Sequence, residues 1–270
     1  MTFLNLIKLQ NKIIKIVKRA SKIFEKGTGK ITEKNGAANL VTEADINIQE
    51  FLQKELKKLI ADSGFLCEEE NIADTSKDYT WVIDPIDGTA NFTRGIPECS
   101  ISVGLLYKGE PLIGVVYAPR LKLLFNAVKG MGAYCCGKRI YTSEKTFEQS
   151  LFCTGLCLYQ KELSDSCSAI IAEAHPLCSD IRRFGSCALE ICYLAMGRCD
   201  LFFEIRTYPW DYAASYLILE EAGGILRSFK KQKPDLKNMT MLIGSNNIEN
   251  FEKLNSIIEN NIKENPVFKE

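Results

Sequence analysis

From Ile101 to about Tyr141 the chain repeats one pattern, an apolar run closed by turn residues. Ile101 to Tyr107 leads into Lys108-Gly109-Glu110-Pro111, and Leu112 to Tyr117 leads into Ala118-Pro119-Arg120. Apolar runs of this length with evenly spaced turns predict an antiparallel meander. After Leu151 the rhythm changes to strands alternating with helices. Helices are expected near 161–174, 186–197, 211–222 and 246–262, and Gly223-Gly224 stops the third. The chain therefore reads as α+β. The shift near residue 145 divides an N-terminal α+β half (1–145) from a C-terminal α/β half (146–270).

Upstream, Leu6, Leu9, Ile13, Val17, Ala20 and Phe24 recur at helical spacing, which predicts an amphipathic helix over 4–26. Its other face carries Lys8, Lys12, Lys15, Arg19, Lys22 and Lys26, with only Glu25 to offset them. Such a stripe is a contact for a membrane surface or a partner, or, more ordinarily, a solvated face. A loop over 27–39 precedes a second helix near 42–61, where Thr42 and Asp45 have the spacing of a capping box. Phe51, Leu52, Leu56, Leu59 and Ile60 give that helix its apolar face. Two apolar runs follow, Phe65-Leu66-Cys67 and Tyr79 to Ile83. Each leads straight into acids, so both read as strands ending at a site.

Composition removes several classes. The 270 residues hold 34 basic and 34 acidic side chains, so net charge gives no reason to expect a nucleic-acid partner. No eighteen-residue apolar run spans a membrane, and the lysines of the first helix break up any secretory signal. The 11 cysteines include adjacent Cys135 and Cys136, and Cys153 four residues from Cys157, with no C-x-x-C. They read as small core residues in a reducing cytoplasm, neither a disulfide framework nor a zinc site. There is one histidine, His175, so catalysis must run mostly without imidazole. Any metal must be held by carboxylates and carbonyls, which favours hard ions such as magnesium.

The segment Trp81 to Phe92 fits that chemistry. An apolar strand delivers Asp84, Pro85 is expected to force a turn, and Asp87 returns three residues later beside Gly88 and Thr89. Two carboxylates so placed can share a pair of cations, with the Ile86 carbonyl as a further ligand. The Gly88 and Thr89 amides can meet an anion. Asp-Pro and Asp-Gly are also plain turn signals, so alone the segment is as much turn as site. Glu68, Glu69 and Glu70 form either a solvated cluster or part of a metal site. Asp211 opens a helix that buries Ala213, Ala214, Leu217, Ile218 and Ala222, and taken alone it is a helix N-cap. Glu204 ends the strand-like run Asp200 to Ile205.

Together these residues resemble the inositol monophosphatase family, within the wider group of magnesium-dependent, lithium-sensitive phosphatases. The resemblance rests on Glu68-Glu69, on Asp84-Pro85-Ile86-Asp87-Gly88-Thr89, and on Trp210-Asp211-Tyr212-Ala213-Ala214 ending in Glu221-Ala222-Gly223-Gly224. Leu40-Val41-Thr42 to Asp45 and Gly185-Ser186-Cys187-Ala188 extend it over nearly the whole chain. It implies a five-layer αβαβα sandwich of the inositol monophosphatase and fructose-1,6-bisphosphatase type, a homodimer, and hydrolysis of a small phosphorylated polyol or sugar, foremost inositol 1-phosphate. It further implies two or three magnesium ions. Glu68, Asp84 and the Ile86 carbonyl would hold the first, Asp84, Asp87 and Asp211 the second, and Glu68 a weaker third. Thr89 with Asp45 would orient and deprotonate the attacking water. The Gly88 and Thr89 amides would bind phosphate, and Glu204, Ser186 and Cys187 would face the substrate hydroxyls, with Lys34 near the site.

Two departures from the family pattern stand out, Cys67 in place of a common glycine and the extra acid Glu70. Ala90-Asn91 replaces the Lys-Glu of the nucleotide-phosphatase branch, which disfavours adenosine bisphosphates. Two rival readings remain. One is a fructose-1,6-bisphosphatase-like activity using Arg182, Arg183 and Arg206 for a second phosphate. The other is a non-catalytic regulatory or binding protein that retains the fold.

Overall fold

In the computed structural model, residues 3–33, 40–69, 73–155 and 161–262 are described. Helix α1 (Phe3–Phe24) leads to a short antiparallel pair, β1 (Ile31–Glu33) and β2 (Leu40–Thr42), and then to α2 (Glu43–Lys57). Next come β3 (Ser63–Cys67), β4 (Tyr79–Asp87) and the five-residue α3 (Thr89–Thr93). The expected meander follows as β5 (Ser100–Tyr107), β6 (Glu110–Ala118), β7 (Leu123–Val128), β8 (Ala133–Cys135) and β9 (Lys138–Arg139). Strands β3 to β9 form one seven-stranded sheet in chain order; only β3 and β4 pair in parallel.

The rest of the chain alternates as its sequence predicts. It supplies β10 (Leu151–Gly155), α4 (Ser164–Ala174), β11 (Asp180–Arg182), α5 (Cys187–Ala195), β12 (Leu201–Thr207), α6 (Pro209–Glu221), β13 (Ile225–Arg227), β14 (Thr240–Ser245) and α7 (Ile248–Ile262). The five strands order as β11-β10-β12-β14-β13.

Three apolar clusters stack these elements into layers. Ile13 and Val17 of α1 and Ile48 and Leu52 of α2 pack on Trp81, Ile83 and Val103 of the first sheet. Helices α5 and α6 fill the space between the sheets, meeting Val82, Val116 and Phe125 on one side and Phe202 and Leu242 on the other. Ile170 of α4 and Phe251 and Ile258 of α7 cover the far face of the second sheet at Phe152, Phe203 and Ile243. The fold is α+β, in the αβαβα order implied by the resemblance. Eight of the ten described cysteines are buried, as small core residues would be; Cys157 lies outside the described residues.

Helix α6 has no charge between Asp211 and Glu220, and every residue from Tyr212 to Leu219 is buried. A helix apolar all round belongs in an interior. It approaches the first sheet closely because Gly104 and Gly114 face each other across β5 and β6. A Cβ on Gly114 would stand 2.3 Å from the Ala214 carbonyl oxygen, and one on Gly104 would stand 3.4 Å from Ala213. The helix opens at Pro209, a favoured first position. Asp211 is therefore inside its first turn and is not the N-cap. Strand β12 likewise continues past Glu204 to Thr207, so Glu204 sits within a strand rather than at its end.

Candidate active site

Strand β4 does not turn at Pro85. It runs on to Asp87, and its pairing with β5 slips there, so that Asp84 faces Ser102 while Asp87 faces Ser100. Pro85 has no N–H to give the ladder, and the strand bulges past it. The bulge resets which face each residue points to. Upstream, Val82 packs with the α5–α6 layer and Trp81 and Ile83 with the α1–α2 layer; downstream, Ile86 packs with the α1–α2 layer. On a regular strand, residues three apart face opposite sides. Here both carboxylates face inward, with Asp84 2% and Asp87 7% exposed.

Around Asp84 stand four more acids, Glu68, Asp87, Asp211 and Asp45. Burial first, and then their negative charges, push Asp84 well above the usual aspartate range. Its Oδ1 is buried without a hydrogen-bond partner. Glu68 follows β3, and its N–H donates to the Ile83 carbonyl at 3.3 Å, extending the β3–β4 pairing. Gln49 of α2 grips the next residue, donating to the Glu69 carbonyl at 2.9 Å and accepting the Glu69 N–H at 3.0 Å.

The capping box of α2 forms as the sequence predicts, and it also fixes Asp45. Asp45 Oδ2 accepts the Thr42 N–H at 2.8 Å and the Thr42 hydroxyl. Asp45 Oδ1 lies 3.4 Å from Thr89 Oγ1, which is also 3.0 Å from the Ile86 carbonyl. Burial pushes Asp45 up to about 7, against the bonds from Thr42 and with help from Glu68 and Glu69. Asp87 sits at the start of α5. It accepts the Cys187 N–H at 3.1 Å, the Ala188 N–H at 2.9 Å and the Ser186 hydroxyl. Burial raises it to about 6, and these bonds hold it from rising further.

Gly88 has φ 88° and ψ 41°. A Cβ there would stand 3.0 Å from both the Glu98 and Gly185 carbonyl oxygens, so both conformation and space require glycine. Asp211 accepts the Tyr208 N–H at 2.7 Å, and burial raises it well above the ordinary range. Glu204 lies opposite Gly155 in the β10–β12 register. A Cβ on Gly155 would fall 2.4 Å from the Glu204 carboxyl carbon, so this glycine leaves room for that group. Burial, then Glu190, pushes Glu204 up to about 8.

The fold thus gathers Asp45, Glu68, Asp84, Ile86, Asp87, Thr89 and Asp211, with Ser186, Cys187 and Glu204 adjoining through Asp87. Among the described residues no three acid, cysteine or histidine side chains converge as a ready-made cage; the donor set is a group of carboxylates about Asp84. Lys34 and Glu70 lie outside the described residues. Arg182 is drawn to Asp180 at 2.5 Å, and Arg206 donates to the Tyr208 hydroxyl at 3.4 Å. Arg183 acts on Glu204 and Glu190 electrostatically.

Two residues that sequence reasoning missed brace the segment that feeds Asp87. Asn91 Nδ2 donates to the Glu98 carbonyl at 2.7 Å and the Phe184 carbonyl at 2.6 Å. Glu190 Oε1 accepts the Phe184 N–H at 2.6 Å and the Gly185 N–H at 2.8 Å. A signal existed for Glu190, the one charge in the otherwise uncharged helix Cys187–Ala195.

The same chain architecture occurs in known proteins. A family profile described as the inositol monophosphatase family matches residues 2–263. Inositol monophosphatase 2 of Solanum lycopersicum is 36% identical over 223 residues, which is 79% of this chain and 84% of that protein. Nus factor SuhB of Vibrio cholerae is 34% identical over 224 residues, 82% of this chain and 81% of its own. The solved Thermotoga maritima IMPase superposes with a TM-score of 0.84 at 31% identity, covering 93% of this chain and 96% of that one. By its sequence over almost its full length and by its layered fold, the chain belongs to the inositol monophosphatase family.

Proposed function

We propose that this protein is a magnesium-dependent phosphatase of small phosphate monoesters, with inositol 1-phosphate as its substrate. The observation that carries the reading is the buried, unpartnered Oδ1 of Asp84 among four further carboxylates. An oxygen-only donor set with an orphaned carboxylate oxygen fits a hard divalent cation. Glu68, Asp84 and the Ile86 carbonyl would hold one magnesium, Asp84, Asp87 and Asp211 a second, and Glu68 a weaker third. Bound there, the ions would supply charge neutralisation, a more acidic water and a stabilised leaving alkoxide. Residues 1–145 contribute most of these ligands, and 146–270 complete the set with Asp211.

The chain's own groups handle the proton and the pose. The Thr89 hydroxyl has one proton to give, to Asp45 Oδ1 or to the Ile86 carbonyl, and lone pairs left to accept from water. Asp45, pushed up to about 7, is matched to taking a proton near neutral pH. Through Thr89 it orients the attacking water and receives its proton. The Gly88 and Thr89 amides bind phosphate oxygens, since the first amides of α3 have no acceptor within the helix. Glu204 and the Ser186-Cys187 turn face the substrate hydroxyls. Lithium sensitivity and a homodimer belong to the same reading and rest on the family resemblance, and a cytoplasmic setting rests on the use of cysteine as a small core residue.

The name of the Vibrio relative favours a second reading, a binding protein that keeps the fold. Phosphate release from inositol 1-phosphate, with and without magnesium, in the wild type and in Asp84→Asn, separates them. Magnesium-dependent release that the variant loses is the expected result. Release from fructose 1,6-bisphosphate alone would move the substrate to sugar bisphosphates. No release from any monoester would overturn the hydrolytic reading.

A further inference from the structure

Helix α1 supplies none of the residues gathered at the site, yet its charge is all of one sign and lies on one face. Leu6, Leu9, Ile13, Ile16, Val17, Ala20 and Phe24 are buried against the first sheet and α2. The opposite face exposes Lys8, Lys12, Lys15, Lys18, Arg19 and Lys22, with Lys26 just beyond the helix end. No acid occurs between Phe3 and Phe24. At 3.6 residues per turn the six cations within the helix fall in roughly a third of its circumference, along about 21 Å of axis. Among the described residues only Arg19 of this row has an acidic partner, Glu55 of α2 at 2.7 Å.

Like charges three and four residues apart destabilise a helix. In a chain with 34 bases and 34 acids, this face is a local excess that folding does not need. The row continues toward the N-terminus in two exposed apolar side chains, Leu4 at 61% and Ile7 at 36% exposure. Leu4 stands one turn before Lys8.

We propose that this face of α1 adsorbs the protein to an anionic phospholipid surface. Three features favour lipid over nucleic acid. Five of the six cations are lysines, point charges suited to diffuse attraction rather than to the paired phosphate contacts of arginine. Among the described side chains of the row there is no exposed aromatic on which a base could stack. Leu4 and Ile7 put apolar surface at the end of a rigid row, where the headgroup boundary can take it. Because the apolar face of α1 is already packed in the core, the helix lies on the surface and does not insert. Binding is therefore reversible and sensitive to salt. The proposal is independent of the hydrolytic reading.

Co-sedimentation of the purified full chain with vesicles tests it. One vesicle set is phosphatidylcholine alone and the other adds phosphatidylglycerol, each at about 0.1 M and about 1 M salt, where screening lengths are about 10 Å and 3 Å. Binding to the anionic set at low salt is expected, roughly tenfold or more weaker at high salt and on the neutral set. The triple change Lys12→Glu, Lys15→Glu, Lys22→Glu should abolish it, and Leu4→Ser should weaken it severalfold. All four side chains are exposed, so melting and phosphate release should match wild type. Equal binding to both vesicle sets, unchanged binding by the triple variant, or preference for an RNA oligonucleotide at equal phosphate concentration would overturn the proposal.

Discussion

Asp45→Asn should make the metal-free protein more stable, with the gain growing as pH rises, and on the proposed mechanism it should slow phosphate release strongly. Asp45 is 0% exposed and is pushed from the ordinary 3.8 up to about 7. Below about pH 4 the carboxyl is protonated in both the folded and unfolded chain, so the substitution changes little. Between 4 and 7 the unfolded chain ionises while the folded one does not, and folded stability falls. Above 7 the full penalty is present. At about 1.4 kcal/mol for each pH unit between the two values, it approaches about 4 kcal/mol. Asparagine is neutral throughout and removes that penalty. Its carbonyl oxygen can still accept the Thr42 N–H, and its amide can donate to Thr89, whose own proton then goes to the Ile86 carbonyl. Urea unfolding in chelator at pH 5 and pH 8 measures the effect. A gain of about 1 to 4 kcal/mol at pH 8, much smaller at pH 5, is expected. A pH-independent difference, or a loss at pH 8, would refute burial as the cause. Turnover should fall about 10²- to 10⁴-fold if Asp45 takes the proton.

Gly114→Ala should destabilise by about 1–3 kcal/mol, because its Cβ would meet a backbone carbonyl of α6 that cannot step aside; an unchanged melting temperature would show that the helix does not need this seat. Asn91→Ala leaves the Glu98 and Phe184 carbonyls without their donor, at a penalty of about 1–3 kcal/mol. It should also raise the magnesium needed for half-maximal activity, and a wild-type magnesium requirement would show that the brace does not reach the site. Magnesium should raise the melting temperature more at pH 8 than at pH 5.5. Asp84, Asp87 and Asp211 are all raised by burial and must shed protons before a cation can bind. An increment that does not change with pH would exclude them as ligands.

Much of this was legible in the sequence. The meander declared itself by turn spacing, the first helix by its period, and the start of α2 by the Thr42–Asp45 pair. The acids ending β3 and β4 were visible as acids at the ends of apolar runs. What stayed hidden depended on contacts distant in sequence. Asp84-Pro85 reads locally as a turn, because only the partner strand β5 reveals that the chain continues and bulges. Asp211 is the exception: it reads as a helix cap although the true start is local, with Tyr208 as N-cap and Pro209 at the first position of α6. Asn91 looks like a surface amide, and its two acceptors are 7 and 93 residues away. Single-sequence periodicity reports which face of an element is apolar, but not which element from the other half of the chain will cover it.

The seat of α6 on Gly104 and Gly114 also bears on how the protein is made. The strands of the first sheet are complete once Arg139 has left the ribosome, whereas α6 begins only at Pro209. In that interval the inner face of the sheet, with Val82, Val116 and Phe125, has no cover from its own chain. Asp84 and Asp87 then stand in water on that same face. There they are ordinary ionised carboxylates, and they break up an apolar surface that would otherwise associate with other half-made chains. Acids that end up buried in the finished protein thus interrupt the apolar face of the growing one.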